Sequence, residues 1–202
     1  MKRWLAGLLA ALLACAACGT ARAEETLTHV FEGETSFSMT YPAQAWVVID
    51  AKTRDTMLIL GANARSDDEL AAQLAQLAAL DMTMFYHVPT GSNVSVTMQA
   101  AAGLTQETVA SLGPVVQEQI KLKMPEIVML SEPEQVSKGD NRYLAMVYEY
   151  DLEGTPMLGA QYFAAIADTL CLFTCAMSIR DSASFIAVYA AMDRMLETFM
   201  PL

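Results

Sequence analysis

The side chains that could do acid–base, nucleophilic or metal chemistry in this 202-residue chain are few and scattered. Histidine is the usual general base near neutral pH, and the chain has two, His29 and His87. The patterning puts His29 in an extended segment and His87 at a helix end. Neither has a Gly-x-Ser-x-Gly elbow beside it, nor an acid pair at ligand spacing, so no catalytic or zinc role is assigned to them. Asp67-Asp68-Glu69 could be drawn as a cation site, but carboxylates in a helix's first turn are explained by capping and by the dipole. Glu132-Pro133-Glu134 reads as a turn with solvated charges. Fourteen methionines raise the question of Cu(I), for which thioethers are soft ligands. Met39, Met57, Met98, Met129, Met146 and Met177 are dispersed over separate apolar strands, which is the pattern of core filling. Gly33, Gly91, Gly103 and Gly113 make no phosphate-binding fingerprint. No cofactor and no metal site is expected.

Four cysteines complete the reactive set. Cys171 and Cys175 lie in Cys171-Leu172-Phe173-Thr174-Cys175, an extended pattern in which a four-residue separation spans roughly 13 Å. A disulfide needs Cα atoms within about 7 Å, so a regular strand keeps these two reduced, on one face with Phe173 and Met177. Cys15 and Cys18 belong to a different context. Lys2 and Arg3 are followed by an apolar run over residues 4–17 and by Ala21-Arg22-Ala23 ahead of Glu24-Glu25, the layout of a secretion signal cleaved after Ala23. The run is too short to span a bilayer comfortably, and no later stretch is apolar and long enough to do so. Within it, Leu12-Leu13-Ala14-Cys15 resembles the lipobox of bacterial lipoproteins, in which the cysteine is acylated and becomes the N-terminus, although Leu13 departs from the usual small residue. The alternatives are thus a signal over residues 1–23, with Cys15 and Cys18 discarded, or one over residues 1–14, with Cys15 lipidated.

Loss of residues 1–23 removes Lys2, Arg3 and Arg22, which shifts the net charge from −11 to −14, 9 basic against 23 acidic residues. Such a surface repels nucleic acid and anionic headgroups, so nucleic acid is excluded as a partner and any tether would be the lipid on Cys15 itself. Residues 24–202 make one domain with room for a sizeable core.

The elements that must position these residues are legible from periodicity. Residues 28–31, 36–41, 45–49 and 56–60 read as four short strands in consecutive antiparallel pairing, punctuated by Glu32-Gly33-Glu34, Pro42-Ala43-Gln44 and the turn over residues 52–55. Ser66-Asp67-Asp68-Glu69 is a capping box opening a helix with Leu70, Leu74, Leu77 and Asp81 on one face and Met84 and Phe85 extending the stripe. A strand over residues 93–99 alternates Val94, Val96 and Met98 with polar residues. Thr105 caps a second helix, with Leu104 stapled onto Val109, and Gly113-Pro114 should kink or split it before it ends near Met124. Residues 127–130, 142–151, 157–166 and 169–179 are extended and separated by Lys138-Gly139-Asp140-Asn141, Glu153-Gly154 and Ala167-Asp168, an antiparallel meander. A last helix carries Phe185, Val188, Met192, Met195 and Phe199 at helical spacing and ends near Pro201.

This order resembles the PsbP-like family, whose fold is shared by the Ran-binding Mog proteins and by bacterial exported lipoproteins. Phe37-Ser38-Met39-Thr40-Tyr41-Pro42 followed by Trp46-Val47-Val48 is similar to the family's opening hairpin, here with Gln44-Ala45 inserted in the turn. The segment 169–177, followed by Phe185 and Leu196-Glu197-Thr198-Phe199, is similar to its last strand and closing helix. The resemblance implies an α+β fold, an α/β/α sandwich on an antiparallel sheet, without a shared active site and with assembly or accessory roles. The expectation is a noncatalytic extracytoplasmic protein, lipid-anchored or secreted, that binds or supports another envelope component. A carrier of a small apolar ligand and an enzyme of unrecognised class are the alternatives.

The compact apolar run ending at Cys15 and the linker-like stretch over residues 16–23 favour the tether. Stable anchoring takes more than one acyl chain, so the multiply acylated chain should fractionate wholly with membranes. Intact mass of the mature N-terminus decides it: an acylated Cys15 is expected, and an unmodified Glu24 start would overturn it.

Overall fold

The computed structural model describes residues 25–31, 36–50, 66–80, 82–166 and 168–202. The leader, with Cys15, Cys18 and both cleavage points, and the expected strand over residues 56–60 with Met57 lie outside them.

Strands β1 (Thr26–Phe31) and β2 (Phe37–Pro42) are antiparallel, and β2 also pairs with β11 (Met200–Pro201) to make a small sheet. The chain then changes sheet. Pro42 ends β2, the bend over residues 43–45 turns at Ala45 with φ 65°, and β3 (Trp46–Ile49) joins the edge of a larger sheet. The expected opening hairpin is therefore corrected: β2 and β3 are not paired, and β3 pairs with β4 (Met82–His87). Ser66 accepts from Glu69 N at 3.2 Å as the capping box requires, and α1 runs over Asp67–Leu80, while Asp81 lies outside the described residues. Met84 and Phe85 lie in β4, not in the helix. Thr83 and Phe85 are buried at alternating positions, and strand pairing overrides the apparent helical spacing.

The order continues with β5 (Ser92–Ala100), α2 (Gln106–Ser111), α3 (Gly113–Lys123), β6 (Val128–Met129), β7 (Glu134–Lys138), β8 (Asn141–Leu152), β9 (Thr155–Ile166), β10 (Thr169–Ser178) and α4 (Ser182–Thr198). Thr105 caps α2 by accepting from Thr108 N at 3.2 Å, and the chain breaks at Leu112 so that Pro114 enters the first turn of α3, where its missing N–H is no loss. The expected split is present. Among the described residues the large sheet has the order β3-β4-β5-β10-β9-β8-β6, with β7 also on β8, and all its pairings are antiparallel. The meander of β8, β9 and β10 is as expected. The strand β7 is not foreseen: Glu134 starts it, and Gln135, Ser137 and Lys138 give an edge strand with one inward apolar residue, Val136.

Alternation along the long strands sends side chains to two cores. Tyr143, Ala145, Phe173, Cys171, Cys175 and Met177 meet α4 and the small sheet on one face. Leu144, Met146, Tyr148 and Phe163 meet Val109 of α2 and Ile120 of α3 on the other. The fold is thus an α+β sandwich on an antiparallel sheet. Met39, Met146 and Met177 are core residues with no exposed surface, and Leu104 packs in the same cluster as Val109.

One close approach fixes the β8–β9 register. Gly159 lies opposite Tyr148, and a Cβ at Gly159 would stand 2.6 Å from the Tyr148 Cζ. The ring covers the glycine as an aromatic covers an unfilled strand position. Gly159→Ala should therefore cost about 1–3 kcal/mol in chemical denaturation, an overpacking penalty. Adding Tyr148→Leu should recover part of that loss; an additive double mutant would refute the contact.

Candidate functional site

The sequence reading places His29 and His87 apart from any partner, and the structure revises this for both. His29 projects from β1 toward the large sheet, edge-on to Phe85 with ring centroids 6.0 Å apart, and its Nε2 stands 3.7 Å from Oδ2 of Asp50 at the end of β3. Both side chains are largely enclosed, 18% and 7% exposed. Burial holds the His29 pKa below its ordinary value, and the Asp50 charge opposes that shift. A carboxylate beside an imidazole can orient a general base, but the base also needs a hydroxyl or thiol within hydrogen-bond reach. Among the described residues none bonds to His29. The Thr83 hydroxyl of β4 is fully buried and has no hydrogen-bond partner among them either. The His29–Asp50 contact is longer than a hydrogen bond, and His29 Nε2 has no hydrogen-bond partner among the described residues, so the pair is a polar contact at the boundary of the two sheets. Nothing in local spacing points to it, since the residues are 21 positions apart on strands of different sheets.

His87 ends β4, where its Nδ1 lies 2.8 Å from Thr90 Oγ1; Thr90 donates to Ser92 Oγ at 2.8 Å, and Ser92 Oγ accepts from Ser178 N at 3.4 Å. This His–Thr–Ser chain has the side chains of a hydrolase, but Ser92 is buried and its oxygen is spent on the turn, so no substrate reaches it. It locks the β4–β5 reversal, with the Trp46 ring centroid 5.1 Å from the imidazole and the two planes inclined at 48°.

The remaining candidates are structural. Cys171 and Cys175 are free and buried, and burial pushes the Cys171 thiol up to about 12 and the Cys175 thiol in the same direction. Thiols that stay protonated are poor nucleophiles and poor ligands. Asp67, Asp68 and Glu69 occupy the first turn of α1. Pro133, in the expected solvated turn, packs instead on Gly113, where a Cβ would lie 2.8 Å from its own. Among the described residues no cluster of three metal-ligating side chains forms, and no helix is long and apolar enough to cross a membrane.

What the sequence reading missed is a surface. Helix α3 buries Gly113, Gln117 and Ile120, while Leu112, Val115 and Leu122 are 42%, 58% and 73% exposed. At 3.6 residues per turn those three fall within an arc of roughly 80°. The spacing was visible, but which face of a short helix meets the sheet was not.

No protein-family model and no curated protein matches the sequence. Solved structures do match in fold. The solution structure of cyanobacterial PsbP (CyanoP) from Synechocystis aligns with a TM-score of 0.55 over 92% of this chain and 97% of that one, at 13% identity. LpqN of Mycobacterium tuberculosis, a protein involved in cell envelope biogenesis, aligns at 0.54 over 89% and 93%, with 9% identity. The Saccharomyces cerevisiae Ran-binding protein Mog1p is more distant, at 0.48 and 10% identity over 88% and 95%. The fold of this chain is PsbP-like.

Burial lowers the pKa of both histidines from 6.5, so the unfolded chain binds protons that the folded one refuses. Their contribution to stability is complete above pH 6.5 and declines as the pH falls toward the folded-state values. Thermal melts from pH 7.5 down to about 5 should show this decline, and His29→Gln should flatten it in part. An unchanged slope in His29→Gln would remove the sheet-linking pair from the account.

Proposed function

We propose that this chain is a noncatalytic accessory or binding protein of the bacterial cell envelope, exported by its leader and held there by lipid on Cys15. The observation that carries the reading is where the potentially reactive groups went. Cys171, Cys175, Ser92 and Thr83 are enclosed, His29 lies beside Asp50 at the boundary between the sheets, and His87 locks a turn. What the domain offers to a partner is surface. The fold it shares with PsbP and with LpqN, the latter an envelope-biogenesis protein, supports the same reading, as does the leader. The partner in this reading is an envelope protein.

The core is interlocked: Phe173 meets Phe199 at 4.8 Å and Tyr143 at 5.5 Å, and Phe37 meets Phe199 at 5.3 Å. This argues for a partner surface over a carrier of an apolar ligand, which needs an interior that opens. Isolation of the tagged protein from its own envelope fraction tests the proposal, with an unrelated domain on the same leader as control. A near-stoichiometric envelope protein absent from the control is expected. Recovery of one small apolar molecule without a protein would favour the carrier, and turnover of an envelope substrate would overturn both.

A further inference from the structure

Helix α3 buries Ile120 and Gln117 against the sheet and turns a second apolar row outward, Val115 and Leu122 with Leu112 at its N-cap. Exposed Gln119 lies within the same arc. Single exposed apolar residues need no explanation, but three on one arc of one helix leave an apolar stripe for which something must account. The helix also departs from the charge of the chain. Glu118, Lys121 and Lys123 make α3 net positive on a protein of net charge −11, and Lys123 adjoins the stripe. The two lysines suit the negative end of the helix dipole, and Lys121 pairs with Glu118 at 3.5 Å on the side away from the stripe, which leaves Lys123 as the charge beside the apolar row.

We propose that α3 lies against the lipid bilayer, its stripe in the interfacial region and Lys123 at the headgroups. The inference rests on the tethered reading of the leader. Residues 16–24 span at most roughly 30 Å between Cys15 and the start of the described chain at Glu25. The α3 layer is on the far side of the sheet from the small sheet that Glu25 enters, about 20 Å away at about 10 Å per layer. That separation lies within the extended reach of the linker, so the tether is compatible with the domain lying on the membrane by that face. A tether of this length also raises the local lipid concentration, so a face of weak intrinsic affinity is sufficient.

The test labels Gln119→Cys with an environment-sensitive fluorophore, in a Cys18→Ser background, in the acylated protein and in Cys15→Ser; the native Cys171 and Cys175 are buried and do not compete. Vesicles of phosphatidylethanolamine and phosphatidylglycerol are the probe, with Thr28→Cys on exposed β1 as the control site. A blue shift is expected at Gln119→Cys and not at Thr28→Cys. It should persist without the acyl chain at higher lipid, and weaken on the order of tenfold in Val115→Asp/Leu122→Asp. An unmodified Glu24 N-terminus defeats the tether alone, and the Cys15→Ser titration still reads the face. No shift in either form, a shift unaltered by the double variant, or a vesicle-independent shift with a dimeric mass would overturn the proposal, the last by giving the stripe to a second copy.

Discussion

The fold depends on the way the last helix ends. The final carbonyls of an α-helix have no partner inside it, and here they point into the protein. Tyr143 Oη donates to Leu196 O at 2.8 Å, and Asn141 Nδ2 donates to Phe199 O at 2.8 Å and to Leu196 O at 3.3 Å. Both donors stand at the start of β8, 53 to 58 residues earlier in the chain. A hydrogen bond of this type contributes about 1 kcal/mol net, whereas a buried carbonyl left without it costs about 1–3. The Lys138–Asp193 ion pair and the close approach of Gly139, at φ 58°, to the Glu197 backbone hold the β7–β8 turn on the last two turns of α4.

From this junction the rest follows in space. Phe199, just past the helix, fills the gap between Phe37 and Phe173, and the next two residues add β11 to β2. Thr198 Oγ1 accepts from Thr40 N at 3.1 Å, so the helix end and the small sheet are continuous. The small sheet is thereby fixed on the large one, and His29 is brought to Asp50 across the boundary. A fold that uses its histidines, thiols and buried hydroxyls to join layers leaves recognition to its outer surface.

The second face is organised more simply. Val109 and Ile120 pack on Leu144, Met146, Tyr148 and Phe163, and Gln106 Oε1 accepts from Ala165 N at 2.9 Å to seat α2 on β9. Short helices with one buried row each leave their other sides to the solvent or to a partner. That is how α3 comes to carry leucine and valine outward.

The sequence by itself determined the local elements with strong signals: the Ser66 and Thr105 caps, the break at Gly113-Pro114, the three long strands of the meander and the closing helix. It also determined that Cys171 and Cys175 share a buried face, because period two in a strand allows nothing else. The tertiary structure decided what local pattern leaves degenerate. Met84 and Phe85 suit a helix stripe or a strand, and pairing with β3 and β5 chose the strand. The residues from Phe37 to Trp46 read as a hairpin, and the bend at Ala45 sent the two halves to different sheets. The polar β7 became a strand because β8 supplied an edge for its backbone. The His29–Asp50 link and the outward face of α3 were decided at the same level, since pairing across sheets and the orientation of a short helix depend on contacts between residues far apart in the chain.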